Sequence, residues 1–271
     1  MRPVLFHVGP LAVHAWGLMF AVAFAAGTIW AYFRARRAGE PQAERIIDLA
    51  VWGVVGTLVG SRIGYVLLEP AYYLAHPLEA FRLDLGGLSF HGGLAGGLLV
   101  IFLFTRRVKL PGWKVLDWIA PPVALGYAVA RIGCFLNGCC YGVPSKVPWA
   151  LNFFDVPRHP TQLYSLLGAL LVLFGLLWLE RRIKPLPFPS FLWFMYMGMY
   201  SVTRFMVEFW REAVHIWGWL TVAQAFSLAL ALASFLVVWV GVRRARARAR
   251  AAGGLESAAP VGEQGAPGAG G

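Results

Sequence analysis

Seven apolar runs divide the chain, at residues 11–33, 46–68, 88–105, 115–136, 161–179, 190–209 and 217–242. Each is close to the roughly 17–25 residues that a helix needs to cross a hydrocarbon layer. The pattern predicts an all-α, polytopic integral membrane protein with seven transmembrane helices. Within the runs, glycines recur at helical spacing. Gly56, Gly60 and Gly64 share one face of the second run, and Gly92, Gly93, Gly96 and Gly97 cluster in the third. Rows of small residues let helix backbones approach closely, so these glycines are assigned to packing. The long outer loops are 69–87 and 137–160; the first, with Glu69, Glu79 and Asp84, is expected to lie along the membrane surface. The chain divides into a seven-helix membrane domain, 1–242, and a tail, 243–271. The tail is basic to Arg250 and rich in Gly, Ala and Pro beyond it, where disorder is expected.

Composition agrees. Only 14% of the 271 residues are charged, against about 25% in soluble domains. The first run lacks the basic flank and cleavage site of a removable signal. The net charge of +11 takes its meaning from position. Sixteen of the Lys and Arg residues fall in loops on one side, at 34–45, 106–114, 181–184 and 243–250. Five fall on the other: Arg2, Arg82, Lys146, Arg158 and Arg211. Positive charge marks the cytoplasmic side, so the N-terminus is expected outside and the C-terminus inside. No nucleic-acid partner is implied. The Arg-Ala alternation before Arg250 reads either as a binder of anionic headgroups or as a stop-transfer anchor.

Three arginines lie inside runs. Arg62, Arg131 and Arg204 each sit near the outer end of an outward run, while His14, His91 and His159 sit at or near the outer start of inward ones. Glu208 and Gln162 share that depth. The gathering implies a polar cavity opening outward. An intramembrane arginine costs about 2.5–3.5 kcal/mol on insertion scales. Arg131 therefore reads either as a snorkelling residue before a turn or as an anion-binding corner. Arginine's planar fork suits phosphate, which points to a phospholipid headgroup; Arg204 and Glu208, four apart, also fit a structural pair along one helix. His91, in Ser89-Phe90-His91-Gly92-Gly93, suits proton transfer or a polar cap. Cys134, Cys139 and Cys140 read as buried small side chains, as a disulfide (Cys134–Cys139) or, with a further ligand, as a metal site. Asp117 is assigned to capping its own helix.

Six segments in order make the chain resemble the bacterial prolipoprotein diacylglyceryl transferase family over about residues 5–240. They are Gly9-Pro10 through His14-Ala15-Trp16-Gly17-Leu18-Met19; Gly60-Ser61-Arg62-Ile63-Gly64-Tyr65-Val66; Ser89-Phe90-His91-Gly92-Gly93-Leu94; Arg131-Ile132-Gly133 to Gly142; His159-Pro160-Thr161-Gln162-Leu163-Tyr164; and Arg204-Phe205-Met206-Val207-Glu208-Phe209-Trp210-Arg211. The resemblance implies a seven-helix enzyme of the bacterial inner membrane, with a periplasmic N-terminus, a cytoplasmic C-terminus and an active site near the outer leaflet. It would move the diacylglyceryl group of phosphatidylglycerol onto the lipobox cysteine of prolipoprotein signal peptides, releasing glycerol-1-phosphate, with no cofactor or metal.

Carried onto this chain, the family's phosphate-binding arginines fall on Arg131 and Arg204. Its histidine falls on His91, its asparagine on Asn137, its glycine on Gly142 and its glutamate on Glu208. His91, Arg131, Arg204 and Glu208 are the expected catalytic residues; Asn137, Gly142, Arg62 and His14 join the two arginines in substrate binding. Many members have Asn where this chain has Cys134 and Glu where it has Cys139. A lipid or anion transporter built on the same arginines is the alternative, and a thiol-redox membrane protein a third reading.

Overall fold

The computed structural model describes residues 4–9, 11–82, 87, 89–153, 155–212, 215–218 and 220–257. A hairpin of β1 (Val4–Val8) and β2 (Leu11–His14) leads into α1 (Ala15–Arg37). α2 (Arg45–Leu68), the short α3 (Pro70–Ala75) and α4 (Phe90–Arg107) follow, then α5 (Gly112–Asn137). A second hairpin, β3 (Leu151–Phe153) and β4 (Val156–Arg158), precedes α6 (Thr161–Arg182) and α7 (Phe191–Glu208). A third, β5 (His215–Trp217) and β6 (Leu220–Thr221), precedes α8 (Val222–Ser257).

Five helices, α1, α2, α5, α6 and α8, are long and apolar enough to cross a membrane. α4 and α7 occupy the two remaining apolar runs with eighteen residues each, about 27 Å of helix. The first helix starts later than its apolar run: residues 11–14 pair with β1 across a left-handed Gly9 (φ +59°), and the helix begins at Ala15. Trp217, Leu220 and Thr221 likewise belong to the third hairpin, not to the last span. At the other end α8 runs without a break to Ser257, past the point where order was expected to stop; residues 258–271 lie outside the described set.

α5 is central, packing against α1, α6 and α7, while α7 also packs on α6 and α8. Small residues make this closeness possible. The buried residues of α1 are all alanines, Ala15, Ala23, Ala31 and Ala35, and Ala120, Ala124 and Ala128 of α5 are buried too. Large apolar side chains point the other way, as Leu167, Leu171, Phe174 and Trp178 do along α6. This inverts a soluble fold and suits lipid surroundings.

α2 and α4 form a second tight pair, joined to α1 and α5 through Ile46, Leu49, Ala31, Ala35 and Trp118. A Cβ on Gly60 would fall on the backbone of Gly92 and Gly96, and one on Gly64 would lie 2.7 Å from Gly92 Cα. Gly93 and Gly97 face Ser61 and Thr57 of α2. The two glycine rows are therefore one backbone-to-backbone contact, as their spacing predicted. Ser89, whose N–H donates to Ser61 O (2.9 Å), caps α4 by accepting from Gly92 N.

At the end of the bundle where the loop basic charge concentrates, Pro121 and Pro122 interrupt the hydrogen-bond ladder of α5. Proline has no N–H, so the carbonyls one turn earlier, on Asp117 and Trp118, lose their partners. Arg34 of α1 supplies them: its Nη2 donates to Asp117 O (3.1 Å) and its Nε to Trp118 O (2.9 Å), while two further donors fork onto Glu180 of α6 at 2.8 Å each. Asp117 is not the cap of its own helix. It is the sixth residue of α5, and its carboxylate accepts from the backbone N–H of Ser190 (2.6 Å) and Leu192 (2.7 Å), capping α7 across the bundle.

Candidate active site

α5 and α7 bring their C-terminal ends together, and each carries Tyr-x-x-x-Arg there. Tyr127 precedes Arg131 by one turn, and Tyr200 precedes Arg204 by one turn. The two tyrosine rings meet edge to face at 5.2 Å, with Tyr196 stacked on Tyr200 at 5.9 Å. They form an aromatic floor between the helices. The Arg131 guanidinium lies 4.6 Å from the Tyr127 ring centroid, a cation–π contact. Its Nε is buried without a hydrogen-bond partner among the described residues. A buried charged donor left unpaired costs more than the roughly 1–3 kcal/mol of a neutral one, so this position favours an anionic acceptor.

Arg204 instead pairs with Glu208, one turn on. The Glu208 side chain is only 4% exposed. It also takes Arg211 Nε at 3.8 Å and a hydrogen bond from Thr221 Oγ1 at 3.4 Å. One carboxylate thus faces two guanidiniums, and the contact between the Tyr127 and Tyr200 rings brings Arg131, stacked on Tyr127, to the same junction. The site carries excess positive charge in a low-dielectric setting, where such charge is felt strongly.

Helix α5 ends at Asn137 on a left-handed Gly138 (φ +71°), whose turn returns Cys139 N–H to Cys134 O. The loop beyond is fastened by α6. Thr161 Oγ1 donates to Cys140 O and Gln162 Nε2 to Cys139 O, both at 2.7 Å. Gln162 is fully buried, and its Oε1 lacks a partner among the described residues. All three cysteines are free, with their sulfurs within 4.8 Å of one another. Among the described residues no further ligand joins them, whereas structural zinc takes four. The Cys140 thiol, outside the helix, is lowered to about 5. Hydrogen bonding from Cys134 is the main cause and Cys139 adds to it; desolvation opposes, and Arg131 and Arg211 favour the thiolate.

Residues 3–240 match the family model described as prolipoprotein diacylglyceryl transferase. The chain belongs to this family. Among its relatives, the phosphatidylglycerol–prolipoprotein diacylglyceryl transferase of Bordetella avium is 43% identical over 225 residues, covering 80% of this chain and 84% of the relative. Those of Cupriavidus metallidurans and Coxiella burnetii are each 38% identical, over 232 and 240 residues, covering 81% and 83% of this chain and 84% and 90% of theirs.

The residues carried over from the transferase family do not all gather in one place. Arg131, Arg204 and Glu208 do. Asn137 is half-buried at the end of α5, and its side chain makes no hydrogen bond among the described residues. Gly142 is a crossing point. Its N–H donates to His159 O (2.9 Å), and a Cβ there would strike Trp210 O and lie 2.7 Å from Thr161 Cγ2. His14 is exposed at the end of β2, its ring 3.1 Å from Ala12 O. Arg62 is turned to the outer loop: it donates to the carbonyls of Glu79, Ala80 and Gly87 and stacks on Tyr73. It holds α3 and the turn after it, whose Leu74, Leu78 and Phe81 are each more than 80% exposed. His91 is the second residue of α4; its side chain lies outside what the structure describes. The motif reading missed Tyr127, Tyr200 and Arg211, although the repeated Tyr-x-x-x-Arg spacing was there to be read.

Proposed function

We propose that this chain transfers the diacylglyceryl group of phosphatidylglycerol to the thiol of the lipobox cysteine of prolipoproteins, releasing glycerol-1-phosphate. The family membership supports the reaction. The observation that carries it at residue level is the buried, unpaired Nε of Arg131 beside the Arg204–Glu208 pair. The relatives are named for this transfer, and none of those above is named as a transporter. In this reading all seven long helices cross the bacterial inner membrane, with the N-terminus periplasmic, the C-terminus cytoplasmic and the site near the outer leaflet.

The reaction forms a bond from the peptide sulfur to C3 of the lipid glycerol and breaks the bond from C3 to the phosphate oxygen. Arg131 and Arg204 hold the phosphate and stabilise the charge that grows on the departing oxygen. The same positive field favours the thiolate of the incoming peptide. The thiol proton passes to His91 or to the departing phosphate. Glu208, fixed by Thr221, orients Arg204 and Arg211. No step needs a metal.

A mass-shift assay tests this, with purified protein, phosphatidylglycerol and a lipobox peptide. The expected result is a diacylglyceryl gain on the peptide cysteine, reduced at least about a hundredfold in folded Arg131→Ala and Arg204→Ala; loss of one oxyanion-stabilising donor costs about 10²–10³ in other enzymes. A normal rate in either variant removes that arginine from the mechanism. No gain with the unaltered protein, beside an active control enzyme, removes the transfer itself.

A further inference from the structure

We propose that the opposite end of the bundle holds a second phosphate site, a cavity that takes the headgroup of an anionic lipid from the other leaflet. The cavity measures about 780 Å³ and lies between the C-terminal ends of α1 and α6 and the N-terminal ends of α5 and α7. Its upper edge carries Arg37, Lys114, Arg181 and Lys184. None of these four side chains has a hydrogen bond or ion pair among the described residues. Two carboxylates also line it, Asp117 and Glu180, but neither is available to the rim. Asp117 is consumed by the backbone of α7, and Glu180 by the fork of Arg34. Four unpaired cations thus surround a cavity whose own anions are already committed.

The walls decide between a small anion and a lipid. Trp30, Trp118 and Leu177 line it one to two helical turns further into the bundle than Arg37, Lys114 and Arg181, so the cavity is cationic towards the helix ends and apolar in its depth. Free phosphate would leave that depth empty, whereas a phospholipid offers a charged group to the rim and glycerol with acyl carbon to the walls. Basic pockets between membrane helices recognise lipid headgroups in this manner. A plain topogenic charge cluster needs no such cavity beneath it. Lys114 and Arg131 are seventeen residues apart on α5, about 25 Å along the helix. The pocket is therefore separate from the candidate active site, and the inference does not depend on the reaction proposed above.

Native mass spectrometry of the detergent-solubilised full chain tests it, with cardiolipin as probe and phosphatidylcholine as control. The triple variant Lys114→Gln/Arg181→Gln/Lys184→Gln should hold one cardiolipin fewer than the unaltered chain, with at least tenfold weaker apparent binding. Lys114→Arg/Lys184→Arg should keep it. Phosphatidylcholine should show no difference between the proteins. If inorganic phosphate at tens of millimolar displaces the cardiolipin and itself protects the chain from thermal unfolding, the site is for phosphate as such. If phosphate does neither, the lipid is the ligand. Equal cardiolipin retention by the triple variant and the unaltered chain overturns the proposal. Should the triple variant misfold, Lys114→Gln and Lys184→Gln singly should each weaken binding about threefold, and unchanged binding in both overturns it equally.

Discussion

Cys140 stands where chain turn and charge meet: left-handed (φ +63°), held by Thr161 through its carbonyl, and within the field of Arg131 and Arg211. With its thiol lowered to about 5, it is mostly thiolate at pH 6, where an ordinary thiol of pKa about 8.5 is under 1% ionised. Its alkylation rate, followed by mass spectrometry, should be flat above pH 6 and fall tenfold per unit below pH 5. Cys134→Ala removes the main donor to that thiolate and should move the inflection upward; an unmoved inflection would assign the shift elsewhere. Arg34 tells the converse story of a charge used for architecture. Arg34→Ala strands two carbonyls and Glu180 and should cost about 2–4 kcal/mol in stability, read as a lowered Tm in detergent. Arg34→Lys should recover less than half, because lysine cannot span both carbonyls and the carboxylate. Arg131, Arg204 and Glu208 were legible from depth and spacing along single helices. Arg34 and Asp117 were not, since their partners lie 73 to 146 residues away in sequence, and no local pattern announces a carbonyl stranded by a proline on another helix.

Helices were the easiest elements to foresee, since each apolar run corresponds to one long helix, with ends displaced by a few residues except at the end of α8. The displacements have causes. Val4–His14 gains more from pairing across the Gly9 turn than from extending α1. α8 outruns its apolar segment because Arg and Ala are both good helix formers. The glycine rows of α2 and α4 were legible because both sides of the contact repeat at helical spacing. A Gly60→Ala change places a methyl on the Gly92 backbone and should cost about 1–3 kcal/mol. Gly53→Ala, on the same helix but with nothing within 4 Å of its Cβ, should be neutral or slightly stabilising. Comparing the two Tm values isolates the contact from helix propensity.

Taken as a whole molecule, the chain is a bundle with an arginine cluster at one end and unpaired basic residues at the other. Its orientation can be tested in a Cys134→Ser/Cys139→Ser/Cys140→Ser background. A cysteine at Lys146 should react with a membrane-impermeant maleimide in cells with an opened outer layer, and one at Lys109 only after the inner membrane is breached. The reverse order would invert the topology. The contact between α2 and α4 also bears on how the sequence can change over time. Most packed pairs drift by exchange, one side chain growing while its neighbour shrinks. Here both neighbours are already glycine, so a methyl gained at position 60 or 92 finds nothing opposite to trim. The ordinary route of second-site repair is closed within this contact. Lineages carrying such a change can only revert it or live with a separated helix pair, and the setting of residue 91 at the head of α4 is inherited together with residues thirty positions earlier.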